Sequence, residues 1–421
     1  MNNIVVLHFV PNLNAVINSA FLRYKTALFE SMADNAEVHI LTLDKTDIHF
    51  ENATIKTYSP PRALQWNMRS FFAKTLLQCK PDVVHIHALW ETSAYKLFTE
   101  CAKQNIPTVI TADHKLDKWH LKQGYWLRKL PKLLSSRQHM LSQAGALHFV
   151  TEQEYSSFMS FAIFHRPKGG LCLNKRCSII EPFSTSWNAT ANDMSHRLLT
   201  LYQKVVDSFP FYRMDETERR MEDLFLALGC PHGNVDIQIS QEDVSSAKSM
   251  SGKSLRRIFL HSSDEGILDY VKAGAKALDS TMPIVEVEKI DRFLPNPDTH
   301  NNDTGKLYRN AKAEKIKSDD SMPPFEQNLC ALIATILHKT RNGTAHRADF
   351  AEICKTLETN EYGEDIVNKK LQELGLLNDA ARLLQIMKER YCLSEGFMFT
   401  DPVDDKKTGK FRKKLYKSKI Q

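Results

Sequence analysis

Glycine is scarce in this chain, with 15 in 421 residues and the first of them at Gly124. A phosphate-cradling loop needs glycine because its backbone must turn tightly and approach the phosphate. None of the first three strand-to-helix turns can therefore be a P-loop or a dinucleotide G-x-G-x-x-G fingerprint. Kinase, ATPase and nicotinamide dehydrogenase chemistries are excluded on that ground. No run of about 18 apolar residues is present, and the opening "MNNIVVLHFVPNLNAV" has neither a basic leader nor a small-residue cleavage site. A spanning helix and a secretory signal are not expected, so the expected location is cytoplasmic. The eight cysteines include no Cys-x-x-Cys pair and are expected to be reduced thiols. Cys172 and Cys177 with His165 form one loose pair without a second, so neither a structural zinc nor any other metal or cofactor is expected. A serine or cysteine nucleophile is not indicated either, because no G-x-S-x-G elbow exists and no cysteine falls at a strand end.

What is present is an apolar fraction of 42% over 421 residues, enough for two cores. The net charge of +6 is unevenly placed. Residues 406–419, "KKTGKFRKKLYKSK", form a basic tail that is either solvated and disordered or suited to an anionic surface.

Up to about residue 155 short apolar runs alternate with helical patterns, the signature of a parallel sheet covered on both faces. Strands are expected at 3–10, 37–43, 53–59, in "VVHIHAL" after Pro81 and Asp82, at 107–113 and at 146–152. A helix over 18–33, with Asn18 or Ser19 as N-cap, follows the first strand. The fold class is thus α/β: a Rossmann-like, doubly wound domain over 1–190. A mixed, mostly helical region over 191–292 follows, with Asp215 and Glu218 in a capping box and Gly229 as a helix stop. Within it, 255–278 suggests one strand and one helix, and 283–290 a strand. Residues 293–323 are expected to be a linker, 324–400 a helical domain and 401–421 the basic tail.

Parallel sheets bind ligands beyond the carboxyl ends of their strands. The polar residues expected there are His85 and His87 with Trp90, then Asp113 and His114, then Thr151 and Glu152. Spaced two apart, His85 and His87 share one side of their strand, and His85 is assigned to packing under a helix. His114, in the polar "DHK" context, is expected to face a ligand.

"KPDVVHIHALW", then "IPTVITADH", then "AGALHFVTEQE" together resemble the amino-terminal domain of family-4 glycosyltransferases of the GT-B type. There a Pro-Asp-apolar-apolar-His-x-His strand is followed by a Pro-apolar-apolar-x-Thr-x-His strand. The resemblance covers roughly residues 1–185. It implies retaining transfer of a sugar from a nucleotide-sugar donor to a saccharide or lipid-linked acceptor without a metal, the chemistry of a hexosyltransferase in polysaccharide or glycolipid assembly. On this resemblance His114 corresponds to the histidine beside the transferred sugar, and His87 and Trp90 line the cleft, with Asp113, Thr151 and Glu152 as further substrate contacts. The basic segment 118–132, with Trp119, Tyr125 and Trp126, suits an acceptor or membrane-surface contact at the inner face, or is an ordinary amphipathic helix.

The chain departs from that family in its glycine-free first loop, "VPNLNAVIN", and in lacking a recognisable second Rossmann-like domain. Three expectations stay open. The carboxyl half is a divergent donor domain using Arg256, Arg257, Asp264 and Glu265, or a second subunit supplies that half, or the chain is a non-catalytic relative. A minor reading from another class is nucleic-acid binding by a helix-turn-helix unit over 346–376, with Lys369, Lys370 and the basic tail on phosphates.

Overall fold

A computed structural model describes residues 4–18, 24–44, 50–52, 54–61, 67–111, 113, 137–160, 176–181, 190–208, 214–230, 240–293, 311–319, 321–342 and 345–416. The chain forms two compact units, Met1–Arg213 with Asp291–Thr299, and Met214–Ile290 with His300–Gln421. The first unit therefore runs past the boundary expected at residue 190.

Among the described residues of the first unit, seven parallel strands make one sheet: β1 (Val5–Phe9), β2 (Glu37–Leu41), β3 (Lys56–Tyr58), β4 (Val83–Ile86), β5 (Thr108–Thr111), β6 (Ala146–Phe149) and β7 (Cys177–Ile179). Their order is β3-β2-β1-β4-β5-β6-β7, the doubly wound order in which the winding reverses between β1 and β4. The helices between them are α1 (Leu13–Asn18), α2 (Tyr24–Ala33), α3 (Met68–Cys79), α4 (Thr92–Lys103), α5 (Gln138–Gln143) and α6 (Glu152–Ser160), and α7 (Ala191–Val206) follows β7. Asn18 ends α1 rather than capping a single helix over 18–33, and Ser19 lies outside the described residues.

Strand alternation sends two unlike sets of side chains to the two faces. One face is mostly apolar: Leu7, Phe9, Val84, Ile86, Ile110, Leu147 and Phe149 pack with Phe72 and Leu76 of α3, Leu97 and Phe98 of α4 and Phe158 of α6, while buried His39 and Thr108 share that face by register. On the other face Val6, Val83, Val109 and Ala146 pack with α2 and α7. There, in β1, β4, β5 and β6, the apolar residues occupy the amino-terminal halves of the strands. The carboxyl halves carry buried His8, His85, Thr111 and His148. The residues before β4 have a structural duty, since Lys80 ends α3 in a left-handed conformation and the Asp82 carboxylate accepts the Val5 N–H at 2.9 Å.

The second unit is helical among its described residues: α8 (Glu216–Gly229), α9 (Gln241–Lys248), α10 (Gly252–Asp264), α11 (Leu268–Leu278), α12 (Ala311–Lys317), α13 (Pro324–Asn342), α14 (Arg347–Thr359), α15 (Glu364–Glu373), α16 (Leu377–Tyr391) and α17 (Lys406–Tyr416). The capping box of Asp215 and Glu218 forms as expected. Residues 255–278 hold two helices, not a strand and a helix, because Leu255, Ile258, Phe259 and Ser262 make one buried stripe behind the Ser251 cap. The expected strand over 283–290 is irregular with a 3-10 turn at Val287–Lys289. No described strand of this unit could pair with it, so its alternation has nothing to serve. α12 falls within the expected linker because Ala313 and Ile316 find buried positions. Likewise α17 occupies most of the expected tail, with Thr408 and Phe411 buried and Arg412 paired with Glu389 and Asp404. α8 and α11 cross backbone to backbone: a Cβ on Gly229 would lie 1.7 Å from the Tyr270 carbonyl oxygen, and one on Gly274 1.8 Å from that of Phe225.

Candidate functional site

The reversal point between β1 and β4 is where a doubly wound sheet opens a crevice at its carboxyl edge. β1 brings His8 there, and register pairs it with His85 of β4, while Thr111 of β5 pairs with His148 of β6. His87 follows β4 directly. Two residues spaced alike on one strand thus put His85 and His87 on the same face, with ring centroids 3.9 Å apart.

These groups form two hydrogen-bonded strings. In the longer, the Tyr202 hydroxyl of α7 lies 2.5 Å from His85 Nδ1, His85 Nε2 lies 2.5 Å from Thr111 Oγ1, Thr111 Oγ1 lies 2.7 Å from His148 Nδ1, and His148 Nε2 lies 2.9 Å from the Ile180 carbonyl. In the shorter, His87 Nε2 lies 3.0 Å from His8 Nδ1, and His8 Nε2 lies 3.4 Å from the Met32 sulfur of α2. Burial keeps all four imidazoles neutral. It pulls His8 down to about 3, His148 to about 4, and His85 and His87 well below the ordinary 6.5, and the Lys25 charge pushes each the same way.

Lys25 is itself buried, 2% exposed, and its ammonium meets Asp113 Oδ2 at 2.6 Å. A buried charge needs such a partner. Asp113 sits just past β5 with φ of 49°, a left-handed conformation uncommon outside glycine. Its other oxygen, Oδ1, and His87 Nδ1 are buried atoms with no hydrogen-bond partner among the described residues. Burial raises the Tyr24 phenol well above 10, and Asp113 and Glu154 add to that. Glu154 is fully buried and accepts the Val150 N–H at 3.3 Å.

The expected site residues divide sharply. His87 and Asp113 belong to this polar seam. Trp90 does not, because its ring packs with the core of the apolar face, and its carbonyl accepts from buried Arg137 at 2.9 Å. Thr151 caps α6 by accepting the Glu154 N–H at 3.1 Å, and Glu152 is exposed in the first turn of that helix. His114 and the segment 118–132 lie outside the described residues, as do His165 and Cys172. The seven described cysteines are free thiols.

Among the described residues, the proposed donor residues of the second unit sit on α10 or at its carboxyl end, and in no second Rossmann-like sheet. Arg257 is bound to Glu218 through Nε at 3.1 Å and through Nη2. Glu265 accepts the Arg347 N–H at 2.9 Å. Arg256 and Asp264 are half-buried on α10. Lys370, a proposed phosphate contact of the helix-turn-helix reading, is tied to Asp319, while Lys369 is exposed.

His8, His85 and His87 each bring one ring nitrogen within 4.8 Å of the others, close enough for a three-histidine metal centre. Both nitrogens of His85 are already spent on Tyr202 and Thr111, however, and the Lys25 ammonium opposes a second cation. The arrangement is a hydrogen-bonded seam that presents two unpartnered polar atoms, His87 Nδ1 and Asp113 Oδ1. No described helix is long and apolar enough to cross a membrane. Comparison with known proteins finds no matching family model, no matching curated protein and no matching solved structure.

Proposed function

We propose that the α/β unit is the acceptor-binding half of a glycosyltransferase-type protein, taking a saccharide or lipid-linked saccharide at the carboxyl edge between β1, β4 and β5. The observation that carries this is Asp113: one carboxylate oxygen is neutralised by Lys25 and the other is left to accept a hydroxyl. A sugar hydroxyl held there is oriented to attack the anomeric carbon of a donor sugar. In that step the new glycosidic bond forms, the sugar–phosphate bond breaks, and the nucleoside diphosphate leaves, its freed phosphate oxygen taking up the hydroxyl proton. The resemblance of "KPDVVHIHALW" and "IPTVITADH" to family-4 glycosyltransferases supports the same reading.

The nucleotide-sugar donor is assigned to a second, Rossmann-like partner body. The helical unit is a poor candidate because Arg257 and Glu265 are committed to internal partners, and none of the first three strand-to-helix turns of the first unit carries a glycine for a diphosphate. Titration calorimetry with methyl glycosides and with nucleotide sugars tests this. The expected result is saturable heat with one of the glycosides, weakened about tenfold by Asp113→Asn, the size of one lost charge-assisted hydrogen bond. Saturable binding of a nucleotide sugar alone would overturn it and place a donor site on this chain. Silence across both panels would remove the sugar-transfer reading altogether.

A further inference from the structure

The two hydrogen-bonded strings leave little choice about where each proton sits. His148 Nε2 faces the Ile180 carbonyl, which can only accept, so Nε2 carries the hydrogen and the neutral ring has a bare Nδ1. Thr111 must therefore donate its single hydroxyl hydrogen to His148 Nδ1. That obliges His85 Nε2 to donate to Thr111, which leaves His85 Nδ1 to accept from Tyr202. One backbone carbonyl fixes four groups in series.

The shorter string admits two protonation patterns, and they are unequal. With the hydrogen on His8 Nδ1, the bare His8 Nε2 would face the Met32 sulfur lone pairs at 3.4 Å, and His87 Nδ1–H would be a buried donor with no acceptor. With the hydrogen on His87 Nε2, His8 Nε2–H donates to the sulfur, His8 Nδ1 accepts, and the sole unsatisfied feature is a lone pair on His87 Nδ1. The second pattern leaves no buried donor unpaired and no lone pairs opposed, so it is the one adopted.

We propose that His87 Nδ1 is a ligand-binding acceptor that selects hydroxyl-bearing, uncharged ligands, an inference that rests on the saccharide reading above. His87 is 7% exposed and lies where the sheet reverses its winding. A ligand must bring hydrogen there, because both unspent atoms, His87 Nδ1 and Asp113 Oδ1, are acceptors. A phosphate or diphosphate in its fully ionised form brings oxygens with lone pairs and negative charge, and Lys25 is already engaged by Asp113. An ammonium group would bring hydrogen but also a charge, beside a Lys25–Asp113 pair that is already balanced. A polyol satisfies both atoms without bringing charge.

Imidazole nitrogens distinguish themselves in long-range proton–nitrogen NMR of histidine-labelled protein, with each residue assigned by a single substitution. The full chain is measured alone, with methyl glycosides of glucose, galactose, mannose and N-acetylglucosamine, and with inorganic pyrophosphate. The expected result is hydrogen on Nε2 of His8, His85, His87 and His148, a glycoside that moves the His87 Nδ1 resonance, and no effect of pyrophosphate. His87→Phe is expected to weaken that glycoside about tenfold while the His85 and His148 signals persist, which shows the fold intact. Hydrogen on His87 Nδ1 in the free protein overturns the inference whether or not any sugar binds. So does a glycoside that binds without moving His87 Nδ1, or pyrophosphate that moves it. The predicted tautomers with no glycoside bound leave the proton pattern standing and overturn the ligand assignment together with the saccharide reading.

Discussion

Two carboxylates held against cations, one in each unit, are treated differently. Glu222 of α8, 1% exposed, accepts from His261 Nδ1 at 2.8 Å, from Ser262 Oγ at 2.7 Å and from Arg347 Nη1 at 2.5 Å. Arg347 in turn holds Asp223, which also takes Arg390. Every oxygen of Glu222 is used, so the cluster ties α8, α10 and α14 together and offers nothing to a ligand. Asp113 has one oxygen on Lys25 and the other unspent. A buried acceptor left without a donor carries a cost of about 1–3 kcal/mol, which a ligand hydroxyl would relieve. On the reading proposed above, the difference separates a structural cluster from a ligand-binding one.

Substitutions sharpen that contrast, and the largest effect belongs to the saturated cluster. Arg347→Met takes the arginine from Glu222 and Asp223, which keep His261 and Arg390, and is expected to destabilise the helical unit by about 3–5 kcal/mol, read by proteolysis in urea scored on fragments of that unit. Lys25→Met strands Asp113, whose carboxylate retains a little solvent, so a loss of about 3 kcal/mol is expected in the α/β unit. Replacing both, as Lys25→Met with Asp113→Leu, is expected to recover most of that stability and to abolish glycoside binding.

Acid separates the units by sign as well as size. The folded-state values of His8 and His148 lie at about 3 and about 4, below the ordinary 6.5, so the unfolded chain takes up protons first. Stability from these rings is complete above pH 6.5 and falls by about 1.4 kcal/mol per pH unit for each ring as the pH drops toward those values. The helical cluster behaves oppositely across that window. Burial works against both ions, yet their mutual attraction prevails, together with Arg347 in the case of Glu222, so His261 is raised above 6.5 and Glu222 lowered to about 2. The His261 contribution is complete below 6.5 and is lost as pH rises through its raised value. That of Glu222 is complete above the ordinary 4.5 and is lost as pH falls toward about 2. Between pH 6.5 and 5 the α/β unit is therefore expected to weaken while the Glu222 cluster holds, which fragment-resolved urea titrations at the two pH values would show.

Smaller effects follow. Tyr202→Phe leaves His85 Nδ1 without its donor and is expected to cost about 1–2 kcal/mol in the urea titration of the α/β unit. Arg412→Ala, which removes a surface pair with Glu389, is expected to cost less than about 1 kcal/mol in that of the helical unit.

The sheet was largely legible in the sequence because its strands are apolar runs set between helical stripes. Val83–Ile86 and Thr108–Thr111 fall where "VVHIHAL" and "PTVITAD" place them. The site was half legible. His87 and Asp113 stand at strand ends and could be singled out, whereas His8 and His148 sit inside apolar strands, both as Leu-His-Phe, and that shared triplet was the available signal. Lys25 occupies a buried stripe with Leu28, Phe29 and Met32, so a cation at an apolar position of α2 was the clue to a buried pair. Its partner is set by strand topology, which local pattern does not carry. The helical unit was harder, because the alternation of 283–290 meets no strand and the buried stripe of α12 is too short to stand out from its polar surroundings.

The most direct test of the central claim is the affinity of one methyl glycoside for the wild-type chain, Asp113→Asn and Arg257→Lys, measured side by side by calorimetry. The account predicts that Asp113→Asn weakens binding about tenfold and that Arg257→Lys leaves it unchanged. An unchanged affinity in Asp113→Asn, or an equal loss in Arg257→Lys, would contradict the assignment of the unspent carboxylate oxygen as the point of ligand contact.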